Sequence, residues 1–364
     1  MQELAVAELM ALAGFVIGAG LGATARWAEF CTLGAVADLF LAGDGTRLRS
    51  WALAIAVALA GTQALDGLGL IDLSGSIYLS ASFGWLGAIL GGLCFGLGMA
   101  LVGTCGYGSL VRLGGGDLRS LVVVLVLGIF AYMTLSGLLG VLRVTVIEPT
   151  NIDLSAAGSQ ALPDLLALVG GPPAAALRWL LAGLAVAALL LFAFRDPAFR
   201  EAPRAILGGL LIGLLVTAGW LATGLLGADP FEPARLESLT FVSPIGDSLV
   251  YAMTSTGSRL DFGIGTVLGA ICGAWAVSRA KGEFRFESFD SARQMLRQLG
   301  GAALMGFGGV TALGCTVGQG ITGLSTLALS APLALASIFL GAYAGLSYLI
   351  SGELFGLGRR SRAG

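Results

Sequence analysis

Residues 95–108 read FGLGMALVGTCGYG and residues 305–318 read MGFGGVTALGCTVG. Laid over each other without a gap, at a shift of 210 residues, they match Gly96 with Gly306, Gly98 with Gly308, Cys105 with Cys315 and Gly108 with Gly318. Glycine matches are cheap in a chain with 58 glycines among 364 residues, whereas a cysteine match is not, because only five cysteines exist. Two looser matches extend the first. GFVIG (14–18) pairs with GLLIG (209–213), and FCTLG (30–34) pairs with FVSPIG (241–246) if one residue is inserted. A fold built from two copies of one unit is expected.

That unit belongs in a membrane. Hydrophobic residues make up 56% of the chain and charged ones only 12%, about half the usual charge of a soluble domain. Abundant glycine in apolar segments suits helices packed backbone to backbone, and breaks where a segment leaves the helix inside the membrane. The net charge of −2 favours no nucleic-acid partner. The absence of histidine excludes imidazole catalysis and His-ligated metals, and no GxxxxGK[ST] run is present for ATP hydrolysis. The five cysteines form no CxxC pair and lie in or beside apolar stretches, so neither a disulfide framework nor a zinc site is expected. The N-terminal stretch begins with Glu3 and Glu8 instead of a positive region, and reads as a retained first span.

Apolar stretches of about 20 residues give nine candidate spans, near 5–25, 51–71, 82–104, 120–142, 174–194, 205–227, 260–280, 298–314 and 331–351. Four further apolar stretches, Phe30–Ala42, Cys105–Leu113, Thr240–Thr256 and Cys315–Leu329, are too short or too glycine-rich to span and read as re-entrant or broken helical hairpins. With nine spans, 16 of the 20 basic residues fall on one face and only Arg143, Arg178, Arg235 and Arg259 on the other. By the positive-inside rule the first face is cytoplasmic, with the N-terminus outside and the C-terminus inside. The stretch Arg279–Gln298, of mixed charge, reads as a solvated connector on that face, with a short amphipathic surface helix as the alternative. The expected fold class is therefore all-α and polytopic. Residues 1–142 form a first half-repeat of four spans, 143–203 an external loop and linking fifth span, and 204–364 a second half-repeat. The halves enter the membrane in opposite directions, the inverted-repeat signature of transporters whose sites lie at discontinuous helices.

Each repeat runs from an apolar helix through Gly and Cys into a new short helix, as in ALGCTVGQGITGLS (312–325). Glycine lets a ligand approach the main chain, and a helix start presents unpaired N–H groups and the positive dipole end to an anion. No Lys or Arg falls in the Cys315 segment, so backbone donors, Thr316, Gln319, Thr322 and Ser325 have to suffice. A neutral thiol is a weak, soft donor that suits a polarizable sulfur atom better than a hard oxyanion. A sulfur-bearing anion passed between weak sites around Cys105 with Gly106, and Cys315 with Gly314, fits this chemistry. No span centre carries an acidic residue for proton or sodium binding, which predicts facilitated passage.

These residues look like the YeeE/YedE family of bacterial membrane proteins, the sulphur transport family. The resemblance rests on FCTLGAVAD (30–38), GTCGYGSLVRLGGGDLRS (103–120), SPIGDSLVY (243–251) and ALGCTVGQG (312–320), and spans nearly the whole chain. It implies thiosulfate uptake through a bacterial inner membrane along a cysteine-lined pathway that includes Cys105 and Cys315, with no cofactor. The family pattern also implies a third pathway cysteine near 240–256, where this chain has Ser243 and no cysteine. Either Cys31, in the symmetry-related segment, takes that part, or the substrate differs. A selenium compound is one alternative; a membrane sulfurtransferase forming a cysteine persulfide is another, and would need activating charge such as Arg112. The expected partners are thiosulfate or a similar anion, membrane lipid and a cytosolic sulfur-accepting protein. Cys94 and Cys272 read as helix-packing residues, and Trp27, Trp51, Trp85 and Trp179 as interfacial anchors. Arg26, Glu29 and Asp38 read as marks of the cytoplasmic headgroup level, with anion exit as the alternative for Arg26, and Arg112 and Arg119 as topology determinants with attraction of the departing anion as a second role.

Overall fold

The computed structural model describes residues 2–227 and 235–352, and nearly all of its regular structure is helical. In the first part of the chain α1 is Gln2–Ala28, α2 Thr32–Ala37, α3 Thr46–Gly67, α4 Trp85–Val102, α5 Gly106–Gly114 and α6 Leu118–Ser136. Short α7 (Leu138–Leu142) and α8 (Leu162–Leu168) lie in the connection that leads to α9 (Ala174–Phe194) and the single turn α10 (Pro197–Arg200). Then follow α11 (Pro203–Leu226), α12 (Val242–Thr254), α13 (Phe262–Ala280), α14 (Ala292–Thr311) and α15 (Ser330–Ser351). Between α14 and α15 the chain is helical again around a wide π turn, Gly318–Gly323. The short helices α2, α5 and α12 and the helix around the π turn thus fall where the sequence breaks its spans. A two-residue antiparallel pair, Ser82–Phe83 with Ile152–Asp153, pins the long connection to the start of α4.

Among the described residues, eight helices are long and apolar enough to cross a membrane. The remaining expected span is α14, a 20-residue helix whose first two turns carry Arg293, Gln294, Arg297 and Gln298. Leucines stand exposed on outward faces, among them Leu12 on α1, Leu184 and Leu191 on α9, and Leu214 on α11. Such a belt is what hydrocarbon covers. The chain is a polytopic all-α membrane protein.

The helices meet through glycine. On α1, a side chain at Gly14 or Gly18 would overlap the carbonyl of Phe262 or Thr266 on α13. On α11, Gly209 and Gly213 press in the same way on Ser50 and Ala54 of α3. So α1 packs along α13 while α11 packs along α3, and likewise α4 packs along α15 while α14 packs along α6. The partners exchange between the two parts of the chain. At the centre α4 and α14 cross, with Gly91 against Gly308 and Gly98 against Gly301. Shifting the first of these pairs by 210 residues and exchanging the helices gives the second.

Two expectations change. Trp51 is 2% exposed, stacked on Phe30 with ring centroids 4.6 Å apart, so it belongs to the core and not to an interfacial belt. The cause is α2: Phe30 leads into it and folds back over the first turns of α3. The connector between α13 and α14 is not simply solvated. It is extended before Ala292, and its Arg285 and Glu287 exchange backbone bonds with Gly115, Gly116 and Leu118. Trp85 does sit at a helix start, donating to the Thr150 carbonyl at 2.9 Å. Trp179 is exposed and lies over Gly67.

Candidate functional site

Three of the five cysteines sit in one kind of turn. Cys31 caps α2 in an extended conformation, and the Gly34 N–H donates to its Sγ at 3.4 Å. Cys105 caps α5, accepting from the Gly108 N–H at 3.3 Å. Cys315 opens the helix before α15, accepting from the Gly318 N–H at 3.4 Å. Two residues before each cysteine the backbone is left-handed: Glu29 (φ 54), Gly103 (φ 88) and Leu313 (φ 59). Helix end, left-handed residue, linker, cysteine cap and new helix recur three times. Oxygen side chains are the usual helix caps. A thiol whose sulfur already accepts an N–H has its S–H left to offer a ligand.

The sequence signature of this turn is Cys-x-x-Gly, present at Cys31, Cys105 and Cys315 and absent at Cys94 and Cys272. Spacing from one cysteine to the next does not reveal it; the residue three places after each cysteine does. Cys272 lies on an exposed face of α13, outside the bundle core, and Cys94 packs beside Gly308.

Packing brings the three turns together. The Thr32 hydroxyl, next to Cys31, bonds that of Thr316, next to Cys315, at 3.1 Å. Cys105 lies beside the Thr316 hydroxyl and within electrostatic reach of both other thiols. Cys105 and Cys315 are 2% and 0% exposed, while Cys31 is half-buried. Tyr107 closes one side: its ring lies 4.7 Å from that of Phe241, and its hydroxyl donates to the Leu21 carbonyl at 2.7 Å. A side chain at Gly106 would reach Leu127, and one at Gly314 would press on Gln319. Gln319 Nε2 donates to the Ala312 carbonyl at 2.6 Å, which ties the helix back across the Cys315 turn. Its Oε1 is buried without a partner among the described residues. The Thr322 and Ser325 hydroxyls are spent on the carbonyls of Leu239 and Thr322. Of the four polar side chains expected to serve as donors here, Thr316 is the one that faces the cysteines.

Ser243 does not join them. It lines a cavity of about 760 Å³ together with Thr240, Leu313, Glu237, Asp247, Asp261, Arg143, Arg235 and Arg259. Tyr78 connects cavity and cluster, since its hydroxyl meets Thr240 and lies against Gly318, the residue whose N–H donates to the Cys315 sulfur. Glu237 is half-buried in the cavity wall. Burial, reinforced by Asp261 and Asp247 and opposed by Arg235, pushes its carboxyl up to about 8.

Basic residues stand beyond Cys31. Arg47 contacts Glu29 and Asp38, each at 3.3 Å, and Arg26 contacts Glu283 at 3.0 Å. Arg119 is held by Asp117 and Glu287. Arg112, the one activating charge considered for Cys105, donates to the Gly103 carbonyl at 2.8 Å. Among the described residues no group of His, Cys, Asp and Glu side chains is placed to hold a metal ion.

Residues 27–344 match the family model described as sulphur transport. The chain belongs to the sulphur transport family. It is similar to the thiosulfate transporter TsuA of Escherichia coli (strain K12), 27% identical over 324 residues that cover 86% of this chain and 87% of that protein. It is also similar to the thiosulfate transporter TsuA of Spirochaeta thermophila (strain ATCC 700085 / DSM 6578 / Z-1203), 27% identical over 354 residues, 90% of this chain and 96% of the relative. The matched region of the sulphur transport family takes in all three cysteine turns and Ser243.

Proposed function

We propose that this chain carries thiosulfate, or a closely related sulfur-bearing anion, into the cytoplasm through the Cys315–Cys105–Cys31 cluster. The single observation behind this reading is that three buried or half-buried thiols share one capping geometry and meet at Thr32 and Thr316. Neutral S–H groups bind an anion weakly, and weak sites in series permit passage. Cys31 takes the part of the third pathway cysteine, and Ser243, its counterpart at the far mouth, meets the anion first. The two halves act as an inverted repeat. The exchange of packing partners and the self-matching crossing of α4 with α14 support that relation.

The charge distribution supports an inward direction, with the Arg47 mouth cytoplasmic and the Ser243 cavity outside. Uptake is then facilitated and drawn by consumption inside the cell, where a cytosolic sulfur acceptor is a suitable partner. Arg112 is engaged with a backbone carbonyl, which favours the thiols as donors over a persulfide-forming thiolate.

The test is uptake of labelled thiosulfate into proteoliposomes, with selenium and other sulfur anions in parallel. Wild-type protein that carries none of them sinks the reading. Undiminished flux after Cys105→Ala and Cys315→Ala together removes the pathway and keeps the transporter.

A further inference from the structure

Arg47 stands just outside the cysteine cluster. Its guanidinium lies against α2: a methyl group at Gly34 would stand 2.5 Å from Arg47 Nη1 and 3.4 Å from Cys31 Cβ. One van der Waals layer therefore separates the cation from the Cys31 turn, and Gly34 is the residue that leaves room for it. Gly34 also supplies the N–H that the Cys31 sulfur accepts in capping α2. The two carboxylates on Arg47 come from the two ends of this same turn. Glu29 is its left-handed residue, and Asp38 follows α2.

Both contacts are loose. They measure 3.3 Å, against 2.7 Å for Arg143 with Glu148 in the same protein and about 2.7–2.9 Å for a well-made charge-assisted bond. Half-exposed ion pairs of this kind hold weakly, so a doubly charged anion can displace them with little penalty.

The packing gives a second, independent line. Gly14 meets the carbonyl of Phe262, and Gly209, the matching glycine, meets that of Ser50. Phe262 and Ser50 are therefore counterparts. Arg259, three residues before Phe262, then corresponds to Arg47, three residues before Ser50. Arg259 lines the cavity at Ser243. Equivalent arginines stand at the two mouths, one beside Ser243 and one beside Cys31.

We infer that Arg47 is the receiving group for the anion at the mouth beyond Cys31, and that Glu29 and Asp38 are built-in competitors that displace the anion from it. The anion passes from the Cys31 S–H to the planar guanidinium, whose several N–H donors suit it better than one thiol. The carboxylates then reclaim Arg47 and the anion leaves. Without them the mouth would hold its cargo; without Arg47 the cargo would meet Glu29 and Asp38 unshielded.

This inference rests on the transport reading. Its test is proteoliposome flux of labelled thiosulfate, measured from both sides, for wild type, Arg47→Gln, Arg47→Lys and the double variant Glu29→Gln/Asp38→Asn. Both Arg47→Gln and the double variant abolish the same two ion pairs. Arg47→Gln is expected to lower uptake about tenfold or more, as loss of a charge-assisted contact does, with Arg47→Lys between it and wild type. The double variant is expected to retain folding and to lower the half-saturating concentration on the Arg47 side about tenfold, with the Ser243 side unchanged. Loss of uptake in Arg47→Gln and the double variant with the half-saturating concentration on the Arg47 side unchanged in the double variant would make Arg47 a structural clasp and overturn the inference, as would wild-type flux in Arg47→Gln. A wild type that carries no thiosulfate overturns the transport reading and this inference with it.

Discussion

The hydroxyl of Thr32 bonds the hydroxyl of Thr316 at 3.1 Å across 284 residues of chain, and both side chains are buried. This contact couples the helix that follows Cys31 to the helix that follows Cys315, and Thr316 also faces Cys105. Thr316→Val strands the Thr32 hydroxyl and should cost about 1–3 kcal/mol. The double change Thr32→Val/Thr316→Val should cost less than the two single changes summed, because no orphaned hydroxyl remains. Uptake should stay low in both, since the polar contact with the cysteine cluster is gone. Thermal unfolding in detergent, read beside proteoliposome flux, separates the two effects; additive stability losses would contradict the coupling.

The glycine contacts predict a graded stability series. A methyl at Gly18 overlaps the Thr266 carbonyl and one at Gly22 overlaps that of Ala270, so Gly22→Leu should abolish folded protein. Gly300 lies on a helix with nothing within 4 Å of a new Cβ. Gly300→Ala should therefore be neutral or stabilising by up to about 1 kcal/mol, the helix-propensity difference between the two residues. Folded yield by size-exclusion chromatography and melting temperature distinguish the two outcomes. A tolerated Gly22→Leu would mean that α1 and α13 do not pack through these carbonyls.

Much of this architecture is legible in the amino-acid sequence, and the reasons differ by residue. The match of Cys105 with Cys315 is carried by local chemistry, a rare residue embedded in a glycine pattern, so it survives in one dimension. The expected short segment at 105–113 agrees with α5 at 106–114 for the same reason. Trp51 is not legible in this way, because span ends and buried turns share a composition, and only the Phe30 ring stacked on it decides between them. Arg47 reads as a topology charge along the chain. Its closeness to Cys31 depends on Gly34 and on how α2 folds back on α3, which no periodicity records. The Cys-x-x-Gly turn is written in the sequence, but three short copies carry meaning only once their common backbone geometry is known.

Glu237 should make the cavity at Ser243 pH-sensitive. Its carboxyl, raised from 4.5 to about 8 by burial and by Asp261 and Asp247, is neutral at pH 7 and charged at pH 9. The added negative charge opposes entry of an anion. Uptake at low thiosulfate should fall about fivefold between these pH values on the cavity side, as roughly 1 kcal/mol of added repulsion gives. The stability sign is the same: a raised acid contributes fully below its unfolded value and loses that contribution as pH rises through about 8. Glu237→Gln should flatten both profiles. An unchanged alkaline decline in that variant would assign it to another group.

On the proposed transport reading, the capping geometry separates what a cysteine does for the fold from what it would do for the cargo. At Cys31, Cys105 and Cys315 the sulfur accepts a glycine N–H three residues on. Serine can take over that acceptance, with an oxygen that prefers the position. Cys→Ser at any of the three should therefore leave the melting temperature unchanged or slightly higher, while uptake drops because a hard hydroxyl replaces a soft S–H. Cys→Ala loses both functions and should destabilise by about 0.5–2 kcal/mol as well. Cys94→Ala and Cys272→Ala should leave uptake intact, since neither residue precedes a glycine at that spacing or opens a short helix. Measuring flux and melting temperature on the same preparations places each variant on two axes. Full uptake in all three serine variants would show that a hydrogen-bond donor of any softness suffices, and the case for sulfur at these turns would then rest on something other than the cargo's own polarizability.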